Sequence, residues 1–239
     1  MKTFVILPAR MKSSRLPNKL IKKIGEMTLI EHMIARAKKI KDAAIIVSTD
    51  SDIIYDIAVK HCVEAVLSKK AFKNGTERCY FTAKTYKAKP SDIIINLQAD
   101  EFNINVAYIN KLIKLLKSFK TESVATLTYK TNSSDEYSDI NNVKVIADKS
   151  LKAITFTRQK LTSVGSHYLI HLGVYAFKFK TLALYHKLGQ CDYEIEESLE
   201  QLRLIWNNIP VYCVQVKNNK SIGINSTRDL KKARLLYGN

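Results

Sequence analysis

Apolar residues recur along this 239-residue chain in two alternating spacings, and the alternation predicts its architecture. A continuous apolar run, Phe4 to Pro8, reads as a short strand buried on both faces. Pro8 has no N–H for a ladder and is expected to end it. Residues 28–40 carry apolar positions at helical spacing, opened by a capping box of Thr28 and Glu31. Ala43 to Ser48 predicts a second strand, Thr49 to Asp52 a polar turn, Ile53 to His61 a helix, and Val63–Leu67 a short strand. Phe72 to Arg78 predicts a loop opening into a helix over Cys79–Tyr86. A buried strand over 92–101 follows, ending in the carboxylate pair Asp100 and Glu101, then a helix over Val106–Ser118 and a strand over Ser123–Thr128. Strand and helix in alternation imply a parallel, right-handed α/β sheet.

Beyond residue 130 the pattern turns to strands. Asn142 to Ile146 and Leu151 to Arg158 predict an antiparallel pair about the turn Asp148-Lys149-Ser150, and His171 to Phe177 a further strand. Tyr193 to Ile205 reads as one amphipathic helix with the stripe Ile195, Leu199, Leu202 and Ile205. Val211 to Val216 is a last strand, and Gly223 to Leu230 leads into a final helix.

Length leaves room for one large α/β domain or two small ones, either able to bury a core. No apolar run approaches the ~18 residues of a membrane span. Met1-Lys2 runs directly into a strand with no cleavage signal, so cytoplasmic is the expectation. Cys62, Cys79, Cys191 and Cys213 are widely spaced with no Cys-x-x-Cys pair, which argues against zinc ligation, and a disulfide framework is not expected in a reducing cytosol. The net charge of +17 could indicate nucleic-acid binding, but the lysines are spread over nearly every segment and no basic block is interleaved with aromatics. The same excess would attract an anionic substrate.

Three places carry candidate chemistry. The loop after the first strand holds Arg10, Lys12, Arg15 and Lys19 with Ser13 and Ser14. Loops at that end of an α/β sheet bind ligands, and fixed cations suit a polyphosphate, though a solvated basic turn would read the same. Asp100 is placed to hold a divalent metal or to cap the next helix, and Gln98, two residues earlier on the same strand, shares its face. The helix start behind Asn74-Gly75-Thr76 either offers amides to phosphate or is simply a capped terminus.

Pro8-Ala9-Arg10, Ser14-Arg15-Leu16-Pro17 and Lys19 resemble the nucleotide-binding signature of bacterial CMP-Kdo synthetases (3-deoxy-manno-octulosonate cytidylyltransferases), and later segments match in order over nearly the whole chain. The resemblance implies a Rossmann-like nucleotidyltransferase spanning 1–239, with a mainly parallel central sheet and an inserted β-rich region at about 130–180 used for dimerisation and the sugar. It implies Mg²⁺-dependent transfer of CMP from CTP to an acidic 2-keto sugar by a homodimer. Arg10 and Lys19 would hold the triphosphate, beside Ser14, Arg15, Asn74, Gly75 and Thr76, while backbone at Leu7 and Ala9 reads the pyrimidine. Asp100 and Asn225 match the metal positions, and Gln98, Arg158, His171, Glu200 and Gln201 the sugar positions. A histidine on a strand is more often a structural residue than a catalyst, and it is the resemblance that shifts His171 toward sugar contact. The chain departs from the family pattern at Ala99 (usually Gly), Phe102 (usually Pro) and Asn225 (usually Asp), and Gln159 to Leu169 is shorter than usual and lacks a Pro. These departures keep open a different acidic sugar, or a homologue with weak turnover.

Overall fold

The computed structural model describes residues 1–13, 15–160, 168–217 and 219–238. In β1 (Thr3–Ala9), Val5, Ile6 and Leu7 are wholly buried, as a strand apolar on both faces requires. Pro8 does not end it. Pairing with the strand Ile93–Leu97 stops at Ile6, so from there only one edge of β1 carries a ladder, which tolerates a residue without an N–H. A ribbon of β2 (Lys23–Ile24) and β3 (Met27–Thr28) turns at Gly25, φ 61°, and delivers the chain to α1 (Leu29–Ala37). The capping box is present: Glu31 Oε2 accepts from the Thr28 N–H at 2.7 Å, and Thr28 Oγ1 from the Glu31 N–H at 3.4 Å.

β4 (Ala43–Thr49), α2 (Asp52–Lys60) and β5 (Glu64–Leu67) follow within a residue or two of expectation. α3 (Gly75–Thr85) begins at Gly75 rather than Cys79, because Asn74 Oδ1 accepts the Glu77 N–H at 2.9 Å and caps it there. The expected strand 92–101 is also corrected. β6 (Ile93–Leu97) ends at Leu97, the chain turns with the Glu101 N–H on the Gln98 carbonyl at 3.1 Å, and only β7 (Glu101–Phe102) is extended again. Asp100 therefore lies in a turn, and the period of two that put it on Gln98's face does not hold. α4 (Val106–Ser118) is capped by Asn105, whose Oδ1 accepts from Ala107 at 2.9 Å, so Asp100 is not its cap.

β8 (Val124–Thr131), α5 (Ser134–Ser138), β9 (Lys144–Ala147), β10 (Ala153–Thr157), β11 (Tyr168–Lys178) and α6 (Phe179–Lys187) continue the chain. The single helix expected over Tyr193–Ile205 is two, α7 (Asp192–Glu197) and α8 (Leu202–Trp206), broken where Ser198 takes φ 52°. Ile195, counted in the apolar stripe, is exposed. What the segment buries instead is an ion pair, Glu194 with Arg203, whose Nε and Nη2 reach the carboxylate at 2.7 and 2.6 Å. A periodicity counted on apolar residues does not register a buried pair. β12 (Val211–Val216), β13 (Ile222–Gly223) and α9 (Thr227–Tyr237), capped by Ser226 and Asp229, complete the fold.

The central sheet runs β5-β4-β1-β6 in parallel, then β11 antiparallel to β6, then β8 and β12. Strand β11 is long enough for its other end to pair with β9, which carries β10, so the β-rich stretch shares this sheet. Helices α1, α2, α4 and α9 pack one face, and α3, α6 and α8 the other, each over its own apolar cluster. Register slips in β11 between Leu172 and Tyr175, at Gly173, and this irregularity faces the site. No helix among the described residues is long and apolar enough to cross a membrane.

Replacing Arg203 by Leu strands the Glu194 charge in the interior and is expected to lower unfolding stability by about 3–5 kcal/mol in urea titrations. A loss below about 1 kcal/mol, the worth of a surface pair, would show that Glu194 is not held by this partner.

Candidate active site

The loop leaving the C-terminal end of β1 is pinned from its flank. The Met11 N–H donates to Asp50 Oδ1 at 2.8 Å, and the other Asp50 oxygen lies 3.9 Å from the Arg78 guanidinium on α3. Asp50 stood in the expected polar turn after β4 without a role, and it is the anchor of this loop. Arg10, Met11, Lys12, Ser13, Pro17 and Asn18 line an open cavity of about 440 Å³. Arg10 and Lys12 are exposed there, while the side chains of Leu7 and Ala9 are buried in the sheet, leaving only their backbone for a ligand. Ser14 lies outside the described residues.

Lys19 opens a 3-10 turn behind Asn18, φ 55°, and its ammonium forms a close ion pair with Asp100 Oδ2. It also donates to the Ile224 carbonyl at 3.2 Å, and the Ile224 N–H donates to the Asp100 carbonyl at 2.9 Å. The next residue, Asn225, accepts from Arg15 Nη2 at 3.0 Å through Oδ1, and Arg15 Nη1 reaches Asn141 Oδ1 at 2.7 Å. Four expected residues, Arg15, Lys19, Asp100 and Asn225, thus meet at one corner. Asn141 was not foreseen.

Beside this corner the backbone comes close to Gln98 from two sides. A Cβ on Gly75 would stand 2.7 Å from Gln98 Nε2, and one on Gly173 2.7 Å from Glu101 Oε1 and 3.3 Å from Gln98 Cγ. The Gly173 N–H donates to Glu101 Oε1 at 2.7 Å, whereas Oε2 is buried with no hydrogen-bond partner. Burial, and then the neighbouring Asp100 charge, raise the Glu101 carboxyl to about 7. Glu200 is raised to about 7 as well, chiefly by burial, although it accepts the Thr76 N–H at 3.1 Å and Gln98 Nε2 at 3.4 Å. Thr76 is buried, with its hydroxyl accepting from Asn96 at 3.0 Å, and Asn74 spends its amide on the cap and on the Tyr185 hydroxyl, 2.8 Å away. The capped terminus is therefore the role the structure gives Asn74, with Gly75 and Thr76 facing Gln98 and Glu200.

Arg158 follows β10 and directs its Nε to the Glu197 carbonyl and its Nη1 to the Ile140 carbonyl, each at 3.2 Å. Among the described residues its guanidinium pairs with no carboxylate, and burial together with the Arg15 charge weighs against its ionised form more than the nearby Glu197 charge favours it. Glu197 fixes the Arg158 backbone N–H at 2.9 Å. His171 packs edge-on to Phe156 and shares a 2.8 Å hydrogen bond between Nε2 and the Thr126 hydroxyl. Burial and the Arg158 charge push it down to about 3, so the ring is neutral at pH 7. Gln201 accepts from the Tyr175 hydroxyl at 3.0 Å and keeps a buried Nε2 without a partner. The break at Ser198 turns Glu200 and Gln201 inward, which one continuous helix would not do. Among the described residues no group of three or more His, Cys, Asp or Glu gathers as a metal cluster.

The family model described as "Cytidylyltransferase" matches residues 4–221. A 3-deoxy-manno-octulosonate cytidylyltransferase of Francisella tularensis subsp. novicida is 31% identical, over 98% of this chain and 97% of that protein. The protein of the same name from Nitratiruptor is 35% identical over 95% of this chain and 97% of its own length. Among solved structures, a CMP:2-keto-3-deoxy-manno-octonic acid synthetase complexed with CTP superposes with TM-score 0.88 at 29% identity, covering 99% of this chain and 98% of that one. A cytidylyltransferase from Leptospira borgpetersenii, TM-score 0.65 at 19% identity over 98% of this chain and 85% of its own, shares the fold.

Glu101 and Glu200 release their protons near pH 4.5 when unfolded and near 7 when folded, so the native state holds those protons more tightly. The stability these two groups contribute therefore falls as pH rises from about 4.5 to 7. His171 contributes oppositely, because its lowered value makes folding more favourable as pH rises toward 6.5. The slope of Tm against pH across that interval is expected to be less negative than wild type in Glu200→Gln and in Glu101→Gln; slopes equal to wild type would show that both titrate as ordinary carboxylates.

Proposed function

The chain belongs to the cytidylyltransferase family, and on that premise we propose that it transfers CMP from CTP to the anomeric hydroxyl of 3-deoxy-manno-octulosonate (Kdo), releasing pyrophosphate, as a step toward lipopolysaccharide. One observation carries the reading: cations of the β1 loop, Arg15 and Lys19, converge on Asp100 and Asn225 from two distant segments. In the reaction the sugar oxygen bonds to the α-phosphorus of CTP, the bond from that phosphorus to the bridging oxygen breaks, and the hydroxyl proton is lost.

Positioning and charge stabilisation supply most of such a displacement. Arg10 stands exposed at the loop cavity, where a triphosphate tail would enter, and Lys19, just past the lining residues Pro17 and Asn18, stands on Asp100. Arg15 spends its donors on two neutral amide oxygens, so a phosphate is the stronger partner for it. The backbone at Leu7 and Ala9 would meet the pyrimidine. Arg158 would grip the sugar carboxylate bidentately, its guanidinium now meeting only carbonyls. Gln98, Glu200, the spare donor of Gln201 and the neutral ring of His171 suit hydroxyl groups. The orphaned Oε2 of Glu101 lies beside the same corner.

The donor set suits Mg²⁺, which takes hard oxygens from one or two carboxylates together with phosphate. Asp100 and the amide oxygen of Asn225 would hold it. When bound, Mg²⁺ supplies charge neutralisation at the phosphate and the acceptor oxygen. Until then Lys19 neutralises Asp100. Asn225 brings no charge of its own, which favours weaker metal binding. We further propose a homodimer acting in the cytoplasm, where CTP is available.

Pyrophosphate release from each nucleoside triphosphate, with Mg²⁺ and a panel of 2-keto sugar acids, tests the reading. CTP with Kdo is expected to turn over, and CTP turnover with another acid alone would replace Kdo as the acceptor. Lys19→Ala and Asp100→Ala should each lower kcat by about 100-fold or more with the circular dichroism spectrum unchanged; near-normal rates would remove that residue from the site. Asn225→Asp is expected to lower the Mg²⁺ concentration needed for half-maximal rate, and an unchanged requirement would show that position 225 does not meet the metal.

A further inference from the structure

Away from that corner the structure holds a second, larger cavity of about 680 Å³ at the N-terminal end of α4. Four cations line it, Arg36, Lys111, Lys217 and Lys220, and no carboxylate does. Among the described residues none of these four makes an ion pair. Arg36 is half-buried, and its burial weighs against the ionised form, with the Tyr237 phenol as the acidic neighbour that partly offsets it. Cations lining one cavity without a carboxylate leave an anion as the partner they lack.

The lysine-rich composition alone does not account for the arrangement, because the backbone carrying the cations is fixed. The Tyr108 hydroxyl donates to the Lys217 carbonyl. The Lys220 carbonyl accepts from Asn103 Nδ2 at 3.2 Å and from the Tyr237 hydroxyl at 3.3 Å. Arg36 donates to Asn103 Oδ1, which holds its guanidinium at the wall. Gln215, also in the lining, keeps a buried Nε2 with no partner, and the first turn of α4 carries no acid.

From this convergence we propose that the cavity binds a multiply charged oxyanion of the phosphate type, at a site separate from the β1 loop. Its location gives such binding a structural consequence. β7 and β13 pair Phe102 with Ile222 and Glu101 with Gly223; one end of this ribbon continues to Asn103 and Lys220 in the cavity, the other to Asp100 and Asn225. An anion held at the cavity end braces the ribbon whose other end carries the first site.

Calorimetric titration of the full chain with inorganic phosphate, pyrophosphate and CTP tests this, using Lys19→Ala as background so that the β1 loop contributes less. Pyrophosphate is expected to bind that protein, and binding is expected to weaken at least tenfold when Lys217→Ala and Lys220→Ala are added. Both lysines are exposed, so the fold should survive, and exposed Lys111→Ala gives an independent second test. The pair Lys84→Ala and Lys149→Ala removes equal charge from exposed positions outside the cavity lining and should leave binding unchanged. Binding of CTP as strong as that of pyrophosphate would identify a nucleotide tail as the ligand, and binding of the inorganic anions alone a free anion. Slower hydrogen exchange at Lys220–Gly223 on adding pyrophosphate is the expected companion result. Absence of binding, or equal weakening in the control pair, would overturn the proposal.

Discussion

The Lys19–Asp100 ion pair is the constraint on which the site depends. It joins the loop after β1 to the turn after β6, and through the Ile224 carbonyl and N–H it fastens the segment entering α9. The two side chains are 15% and 24% exposed, so the pair is neither a solvated surface contact of little worth nor a fully desolvated one. Its geometry follows from the sheet. β1 and β6 lie side by side in parallel, with Ile6 opposite Asn96, so the loops leaving their C-terminal ends emerge next to one another.

Around this junction the structure accepts costs that a core would avoid. Two carboxyls, Glu101 and Glu200, are enclosed where the neutral form is favoured, and one oxygen of Glu101 has no partner. Groups so placed are expensive in a core and common in sites that receive a polar ligand. The close approach is possible because Gly75 and Gly173 have no side chain, and a methyl at either position would strike Gln98 or Glu101. Polar atoms without partners and backbone without side chains are thus two aspects of one design, in which space and hydrogen-bonding capacity are kept for something the chain itself does not provide.

The charge of +17 has a similar reading. Averaged over the sequence it suggests only a general attraction for anions. Folding sorts it: Arg203 is buried with its carboxylate, Lys19 and Arg15 are brought to a corner, and four other cations gather around a cavity without a counter-charge. Where each cation finds a partner is a property of the fold, and the unpartnered ones indicate where ligands belong.

Local pattern was enough for much of this molecule. The strand–helix alternation, the capping box at Thr28, the limits of α4 and the basic loop after β1 are all consequences of spacing within a few residues, where hydrogen bonds and side-chain periodicity act directly. Motif order along the chain likewise identified Lys19, Asp100 and Asn225 as candidates. Tertiary structure decided what depends on contacts between distant segments. Pro8 stays in its strand because a neighbour ends, and α3 starts early because Asn74 caps it. The helix over 193–205 is broken at Ser198, a buried Glu194–Arg203 pair spans the break where apolar periodicity expected one stripe, and Glu200 reaches the Thr76 N–H. Asp50, Glu101 and Asn141 carry no local signal of their tasks, since an anchor, an enclosed carboxyl and a guanidinium acceptor are defined by what arrives from elsewhere in the chain.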